Sequence, residues 1–358
     1  MLKTDMLKTA TLKIDQLAQK RIAILLHEGI QGTQGKTGLA FIRFCPDSIA
    51  VIIDSQSAEQ HFPTLSGISC EAPIVASVQD ALAYQPDVLL IGIAPSGGVL
   101  PNPWFQEVKT AVQAGLSIAN GLHTRLAEHP DLKPLIQPGQ VLWDIRQEPP
   151  GLKVGSALAR SLSCRRVLTV GTDMSIGKMS TSIALDRACQ SAGLHSKFVG
   201  TGQAGIMIAG DGVALDAVRV DFASGAVEQV VMTTGADAEI IHIEGQGSLL
   251  NPASTATLPL IRGSQPTQMV LVHRAGQTHI RNYPTVVIPP LQKVIALYEA
   301  VAEAAGSFDP VKVTGIALNT GHLSPAEAQN AIAQIEQETG LPCQDPVRDP
   351  AQSLLRLL

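Results

Sequence analysis

The segment Val167–Thr181, VLTVGTDMSIGKMST, joins an apolar run (Val167, Leu168, Thr169, Val170) to a loop that opens at Gly171 and closes at Gly177 and Lys178. A helix-compatible stretch, MSTSIALDRACQSAG, follows it. Strand, glycine-bounded loop ending in Gly-Lys, then helix is the layout of a phosphate-cradling P-loop. Glycines let successive backbone N–H groups converge on an anion. The helix N-terminus adds partial positive charge, and the lysine ammonium reaches the outer phosphates. The candidate phosphate contacts are therefore Gly171, Thr172, Asp173, Ser175, Gly177, Lys178, Met179, Ser180 and Thr181. Two details depart from the standard motif. Five residues rather than four precede Gly177-Lys178, and Met179 stands where a hydroxyl usually follows the lysine.

Outward from this loop, apolar runs alternate with helix-compatible segments. In the first half, strands are expected at Arg21–Gly29, Ile49–Asp54, Pro73–Ser77, Asp87–Ala94, Leu116–Asn120 and Val141–Ile145. Helices are expected at Leu39–Phe44, Val78–Tyr84 and Trp104–Ala114. Repeated β-α-β units predict a parallel, doubly wound sheet. A Pro149-Pro150-Gly151 turn then suggests a boundary, giving a Rossmann-like α/β domain over 1–150 and a P-loop α/β domain over 151–358. In the second half, strands are expected at Arg166–Val170, Ser196–Val199, Gln229–Thr233, Glu239–Glu244, Met269–His273 and Val313–Leu318. A late helix at Pro325–Thr339 should stop at Gly340.

Composition fits this picture. With 358 residues the chain exceeds one comfortable core. Aromatics are only 3%, so Ala, Val, Ile and Leu must fill the interior, as suits strands buried on both faces. A net charge of −5 without a basic tract argues against nucleic acid as a partner. No apolar run has membrane-spanning length, and the first twenty residues lack a signal-peptide core. Five widely spaced cysteines form no zinc or disulfide pattern, which favours a cytoplasmic setting. A small-molecule substrate and a homo-oligomeric assembly are the expected partners.

Further residues are candidates for chemistry. Gly29–Thr37, GIQGTQGKT, again places Gly-Lys after a strand, with Thr37 following Lys36; it is a second phosphate loop or an ordinary glycine-rich βα turn. Ile240–Pro252, IIHIEGQGSLLNP, ends a strand in Glu244, where P-loop enzymes place a magnesium-orienting carboxylate. His242 shares its strand face by the period-two rule. Val199–Glu228 is rich in Gly and Asp, as a ligand-moulded loop would be. There Gln203 offers an amide, and Asp211, Asp216 or Asp221 a second metal ligand, with Asp221 favoured beside a helix start at Ala223. Asp54 ends the second strand where a dinucleotide fold holds ribose, although the full glycine fingerprint is absent. Ala94–Gly98 and Asn120–His123 also lie at strand ends, and His123 is a further candidate.

Two resemblances follow from these residues. GTDMSIGK with HIEGQGSLLNP resembles dethiobiotin synthetase, which implies an ATP- and magnesium-dependent ligase or kinase with Lys178 on phosphates and Glu244 on the metal. GKTGLAFIRF, DVLLIGIAPSGGVLP, NGLH, GTDMSIGKMSTSIAL, the Gly/Asp-rich stretch, EGQGSLLNP and GLPCQDPVR together resemble a bacterial family formerly of unknown function. Its better-understood members are D-glutamate N-acetyltransferases. That resemblance covers almost the whole chain and makes Met179 a family trait. It implies acetyl transfer from acetyl-CoA to the amino group of D-glutamate or a related acidic amino acid. His242 or Glu244 would be the base, and Lys178, Lys36, Arg262, Arg274 or Arg281 the cation for an acidic substrate. A nucleotide-binding regulator without turnover is the third expectation.

Overall fold

The computed structural model describes residues 13–14, 17–95 and 100–358. The turn expected at Ser96, Gly97 and Gly98 lies outside them, as does most of the N-terminal stretch read for a signal peptide. The described chain forms two compact α/β units, one reaching to Gly151 with Ile206–Ala217 added, the other Leu152–Gly205 with Val218–Leu358.

The first unit is a six-stranded sheet of β1 (Ile22–Leu25), β2 (Ile49–Ile53), β3 (Ile74–Val75), β4 (Val88–Ile91), β5 (Ser117–Asn120) and β6 (Leu142–Asp144). Every pairing is parallel, in the order β3-β2-β1-β4-β5-β6. That is the doubly wound Rossmann order, with its ligand crevice outside the carboxyl ends of β1 and β4. The strands are continuous apolar runs because both faces are covered: β1 and β4 are buried at every position. Ile206, Met207 and Ala214 of the added segment belong to this core. Its acids are held here too, Asp211 by Lys13 and Asp216 by Arg146 at 2.7 Å. The stretch read as a ligand-moulded loop is therefore partly core-forming.

The second unit contains β7 (Arg165–Gly171), β8 (Ser196–Val199), β9 (Ile240–Ile243), β10 (Gln268–Arg274), a short antiparallel hairpin of β11 (His279–Ile280) and β12 (Tyr283–Val287), β13 (Lys312–Asn319) and β14 (Cys343–Gln344). The main sheet is parallel, in the order β14-β13-β10-β7-β9-β8. The strand that carries the glycine loop therefore lies centrally, between β10 and β9. The helix Lys178–Ser191 follows that loop. The helix Pro325–Thr339 has the predicted bounds, opened by a Ser324–Glu327 capping box and stopped by Gly340 at φ 70°.

One expected strand is wrong. Gln229–Thr233 is the middle of a helix, Ala223–Gly235. Its β-branched residues suggested extended chain, but Ala223, Ala226 or Val227, and Val231 are buried at three-to-four-residue spacing. The helical period wins over local propensity because that stripe faces the core.

Candidate active site

Lys178 is the centre of the site. It is the first residue of its helix, after Gly177 at φ 115°, a conformation that side-chain-bearing residues rarely adopt. The lysine stem passes Gly171 and Gly245: a Cβ added at Gly245 would stand 2.9 Å from Lys178 Cδ and 1.8 Å from the Thr169 carbonyl oxygen. Lys178 Nζ donates to the Asp173 carbonyl at 2.6 Å and is only 6% exposed. Burial pushes its pKa down to about 8, opposed by the charges of Asp173 and Glu244. No carboxylate forms an ion pair with it among the described residues. The helix N-terminus has no side-chain cap, and the amides of Lys178, Met179 and Ser180 find no backbone acceptor among the described residues. A buried ammonium with no carboxylate partner, beside open amides, has the chemistry to receive an anion.

Glu244 follows β9. Its Oε2 accepts from the Thr201 and Gly202 amides at 2.8 and 3.2 Å, and Gln246 Nε2 lies 3.4 Å from Oε1. Burial raises its pKa to about 7, against the pull of those amides and Lys178. A network beneath the loop fixes the strand ends: Thr169 Oγ1 meets Ser182 Oγ at 2.9 Å and accepts from the Gly245 amide at 2.9 Å. Tyr298, fully buried, donates to the Gly171 carbonyl at 2.7 Å and accepts from the Leu249 amide at 3.1 Å.

The other loop residues divide by what they touch. Asp173 is fully buried, and its carboxylate takes four donors: the Met174 and Arg281 amides, Asn251 Nδ2 and Gln277 Nε2, at 2.7 to 2.8 Å. Burial alone would raise its pKa, but these bonds together hold it below the usual carboxylate value. Asp173 thus fastens the loop to β9's and β10's following turns. Thr172 Oγ1 meets His273 Nδ1 at 2.9 Å. Thr181 Oγ1 donates back to the Gly177 carbonyl at 3.0 Å. Ser175 is exposed, in a left-handed conformation at φ 56°.

His242 does not open onto this site. It lies inside β9 between Val167 and Phe198, is fully buried, and neither ring nitrogen has a hydrogen-bond partner. Burial, aided by Arg165, drives its pKa down to about 3. As pH falls below 6.5 the unfolded chain takes this proton and the folded chain does not. The fold should thereby lose about 3 kcal/mol by about pH 4. His242→Leu is expected to flatten the acid side of a Tm-against-pH curve without lowering Tm at neutral pH; parallel curves for the two proteins would refute this.

The remaining sequence candidates lie elsewhere. Asp221 is exposed on a single 3-10 turn, Val220–Phe222. No group of three or more His, Cys, Asp or Glu able to hold a metal exists among the described residues. With Met179 beside the lysine, Thr181 tied back to Gly177, and Glu244 occupied by amides, the donor set does not fit a conventional magnesium site. Lys36 is exposed at the start of the helix Lys36–Phe44 in the first unit, with Thr37 buried behind it. In that loop Gly35 packs on Gly29, where a Cβ would lie 2.1 Å from the carbonyl oxygen, so the glycines there serve backbone packing. Asp54 accepts from the Glu28 and Gln56 amides. His123 is exposed, on a turn held by Asn120 and Asp144. Arg262 donates to the Val301 carbonyl and lies over Phe308.

Asn251, Gln277, Tyr298 and Asn319 were not singled out. Asn251 sits within the quoted EGQGSLLNP stretch, and Tyr298 is the lone polar-tipped residue in the apolar face of the helix Leu291–Glu303. Gln277 and Asn319 carry no sequence signal.

Comparison with known proteins agrees with this architecture. Residues 153–355 match the P-loop domain of the DUF1611 family of unknown function, and residues 55–148 match that family's Rossmann-like N-terminal domain. The chain belongs to the DUF1611 family. The crystal structure of a DUF1611 protein from Anabaena variabilis is 60% identical, covers 94% of this chain and 99% of its own, and superposes with a TM-score of 0.90. Two curated relatives carry an activity in their names. A D-glutamate N-acetyltransferase from Pseudoalteromonas is 37% identical over 284 residues, 78% of this chain and 83% of that protein. One from Tritonibacter scottomollicae is 36% identical, over 79% and 84% respectively. No helix among the described residues of this DUF1611 chain is long and apolar enough to cross a membrane.

Proposed function

We propose that this protein transfers acetyl from acetyl-CoA to the amino group of D-glutamate or a closely related acidic amino acid. The observation that carries the reading is the buried Lys178 ammonium, which has no carboxylate ion pair among the described residues and belongs to the first residue of a helix without a side-chain cap. It suits the phosphates of coenzyme A as well as those of ATP, while the missing hydroxyl at Met179 weighs against an ATP–magnesium enzyme. The names of the two curated relatives support the acyl-transfer choice.

In the proposed reaction the substrate ammonium first loses a proton. The free amine attacks the thioester carbonyl carbon, the tetrahedral oxyanion collapses, the C–S bond breaks, and the nitrogen gives up its second proton to the departing thiolate, leaving the amide and the free thiol. Glu244, poised near neutrality, is the acceptor for the first proton. Amides at the helix start, or those of Gln246 and Gly247, are the donors available to the oxyanion.

Thiol release from acetyl-CoA that depends on D-glutamate tests the reaction. Tight ATP–magnesium binding with no affinity for acetyl-CoA would overturn it. The pH profile tests the base. Because only the ionised carboxyl accepts a proton, kcat/KM should rise with pH through about 7 and level above it. Glu244→Gln should remove that limb and lower the plateau by roughly 100-fold or more; an unaltered profile would exclude Glu244 as the base.

A further inference from the structure

Beside the P-loop lies a cleft of about 460 Å³, lined by Asp173–Ile176 of the loop, the Arg274–Gln277 turn after β10, His279, Arg281 and His322. Its lining is cationic. Arg274 and Arg281 are both exposed, and neither guanidinium is hydrogen-bonded or ion-paired to another described residue. The one acid in the lining, Asp173, already has four donors on its two oxygens. Most other arginines of this unit are engaged, as Arg166 is by the Gln265, Leu162 and Cys164 carbonyls.

The cationic walls are also held in place. Asp173 ties the loop to the Arg281 backbone and to Gln277, whose amide also donates to the His279 carbonyl at 2.9 Å. Asn319, at the end of β13, donates to the Ile176 carbonyl at 3.0 Å, while its own carbonyl accepts from the Ala275 amide at 3.1 Å. Its side-chain oxygen accepts from Gly321, next to His322, at 3.2 Å. Loop, turn, hairpin and the β13 exit thus converge on one mouth.

We infer that this cleft is the carboxylate subsite of the acceptor: Arg274 and Arg281 hold the acidic groups of the amino acid and present its amine beside the P-loop. The inference rests on the acetyl-transfer reading for the choice of acceptor. An arginine fork matches a carboxylate in two parallel hydrogen bonds. Two unengaged arginines at the edge of one cleft suit a dicarboxylate and disfavour its neutral amide analogue.

Arg274→Gln and Arg281→Gln, singly and together, test this, since the Arg281 amide bond to Asp173 does not need the guanidinium. Each change is expected to raise KM for D-glutamate by about tenfold or more. KM for acetyl-CoA should stay within about twofold, and the preference for D-glutamate over D-glutamine should collapse in the double variant. Calorimetry with D-glutamate and with glutarate, with and without CoA, should show the same losses. A rise in KM for acetyl-CoA instead would assign the cleft to the co-substrate's phosphates, and no change in either KM would also overturn the inference. Arginine-dependent binding of D-glutamate by a wild-type protein that releases no thiol would leave the subsite standing and remove the acetyl-transfer reading. Absence of D-glutamate binding and turnover in the wild type would remove the subsite.

Discussion

Lys178→Met is expected to reduce acetyl transfer by about 100-fold or more while making the ligand-free protein more stable than the wild type at neutral pH. The variant keeps most of the stem that packs between Gly171 and Gly245 and removes only the charge. That charge is costly to the empty fold. With its pKa depressed from 10.5 to about 8, Lys178 disfavours folding whenever it is protonated. Between about 8 and 10.5 the unfolded chain binds the proton more tightly, so wild-type stability should rise with pH across that window. Lys178→Met should lack this rise. An anion bound at the loop should reverse the ordering. CoA or inorganic phosphate is expected to raise the wild-type Tm and leave the variant's Tm unmoved. Equal thermal shifts in both proteins, or retained turnover in the variant, would show that the phosphates are held elsewhere.

Gly245→Ala should have the largest effect on stability. The added methyl would fall 1.8 Å from the Thr169 carbonyl oxygen and 2.9 Å from Lys178 Cδ. The carbonyl cannot retreat: Thr169 lies in central β7, and its hydroxyl is bonded to both the Gly245 amide and Ser182. Overpacking against fixed backbone costs about 3 kcal/mol or more, which corresponds to a Tm loss of roughly 10 °C for a unit of this size. Gly321→Ala is the matched control, because its added methyl meets nothing closer than 3.5 Å. Similar melting of the two variants would mean that the β7–β9 end yields more easily than its contacts imply.

The parts of the fold that could be read from the chain are those built from buried apolar runs. β1, β4 and β7 are apolar on both faces, and so stand out without any need for alternation. The hairpin strand Tyr283–Val287 is mostly exposed, and β14 is two residues long, so neither leaves a hydrophobic trace. Strand order was not legible either, because apolar runs mark strands without saying which are neighbours. In the site, Lys178 and Glu244 were readable because strand-loop-helix and strand-end acid patterns are local. Asp173 was readable as part of the loop, but its partners were not. Gln277 and Arg281 lie 104 and 108 residues away, in turns whose composition resembles any other polar turn. His242 shows the reverse failure. Period two placed it on the face of Glu244, but the strand ends between them, and the histidine stays between β7 and β8 while the buried carboxyl beyond the strand end meets the Thr201 and Gly202 amides.

The ties made by Asp173 and Asn319 bear on the thermodynamics of ligand capture. They hold the loop and the surrounding turns in one arrangement before any anion arrives. The conformational entropy of this mouth is therefore lost once, during folding, and not again at each encounter with a ligand. A P-loop ordered only by its phosphate would show a large unfavourable entropy on binding. On the acetyl-transfer reading, the free energy of capture should depend chiefly on the charges facing the incoming group, and little on closing the chain around it.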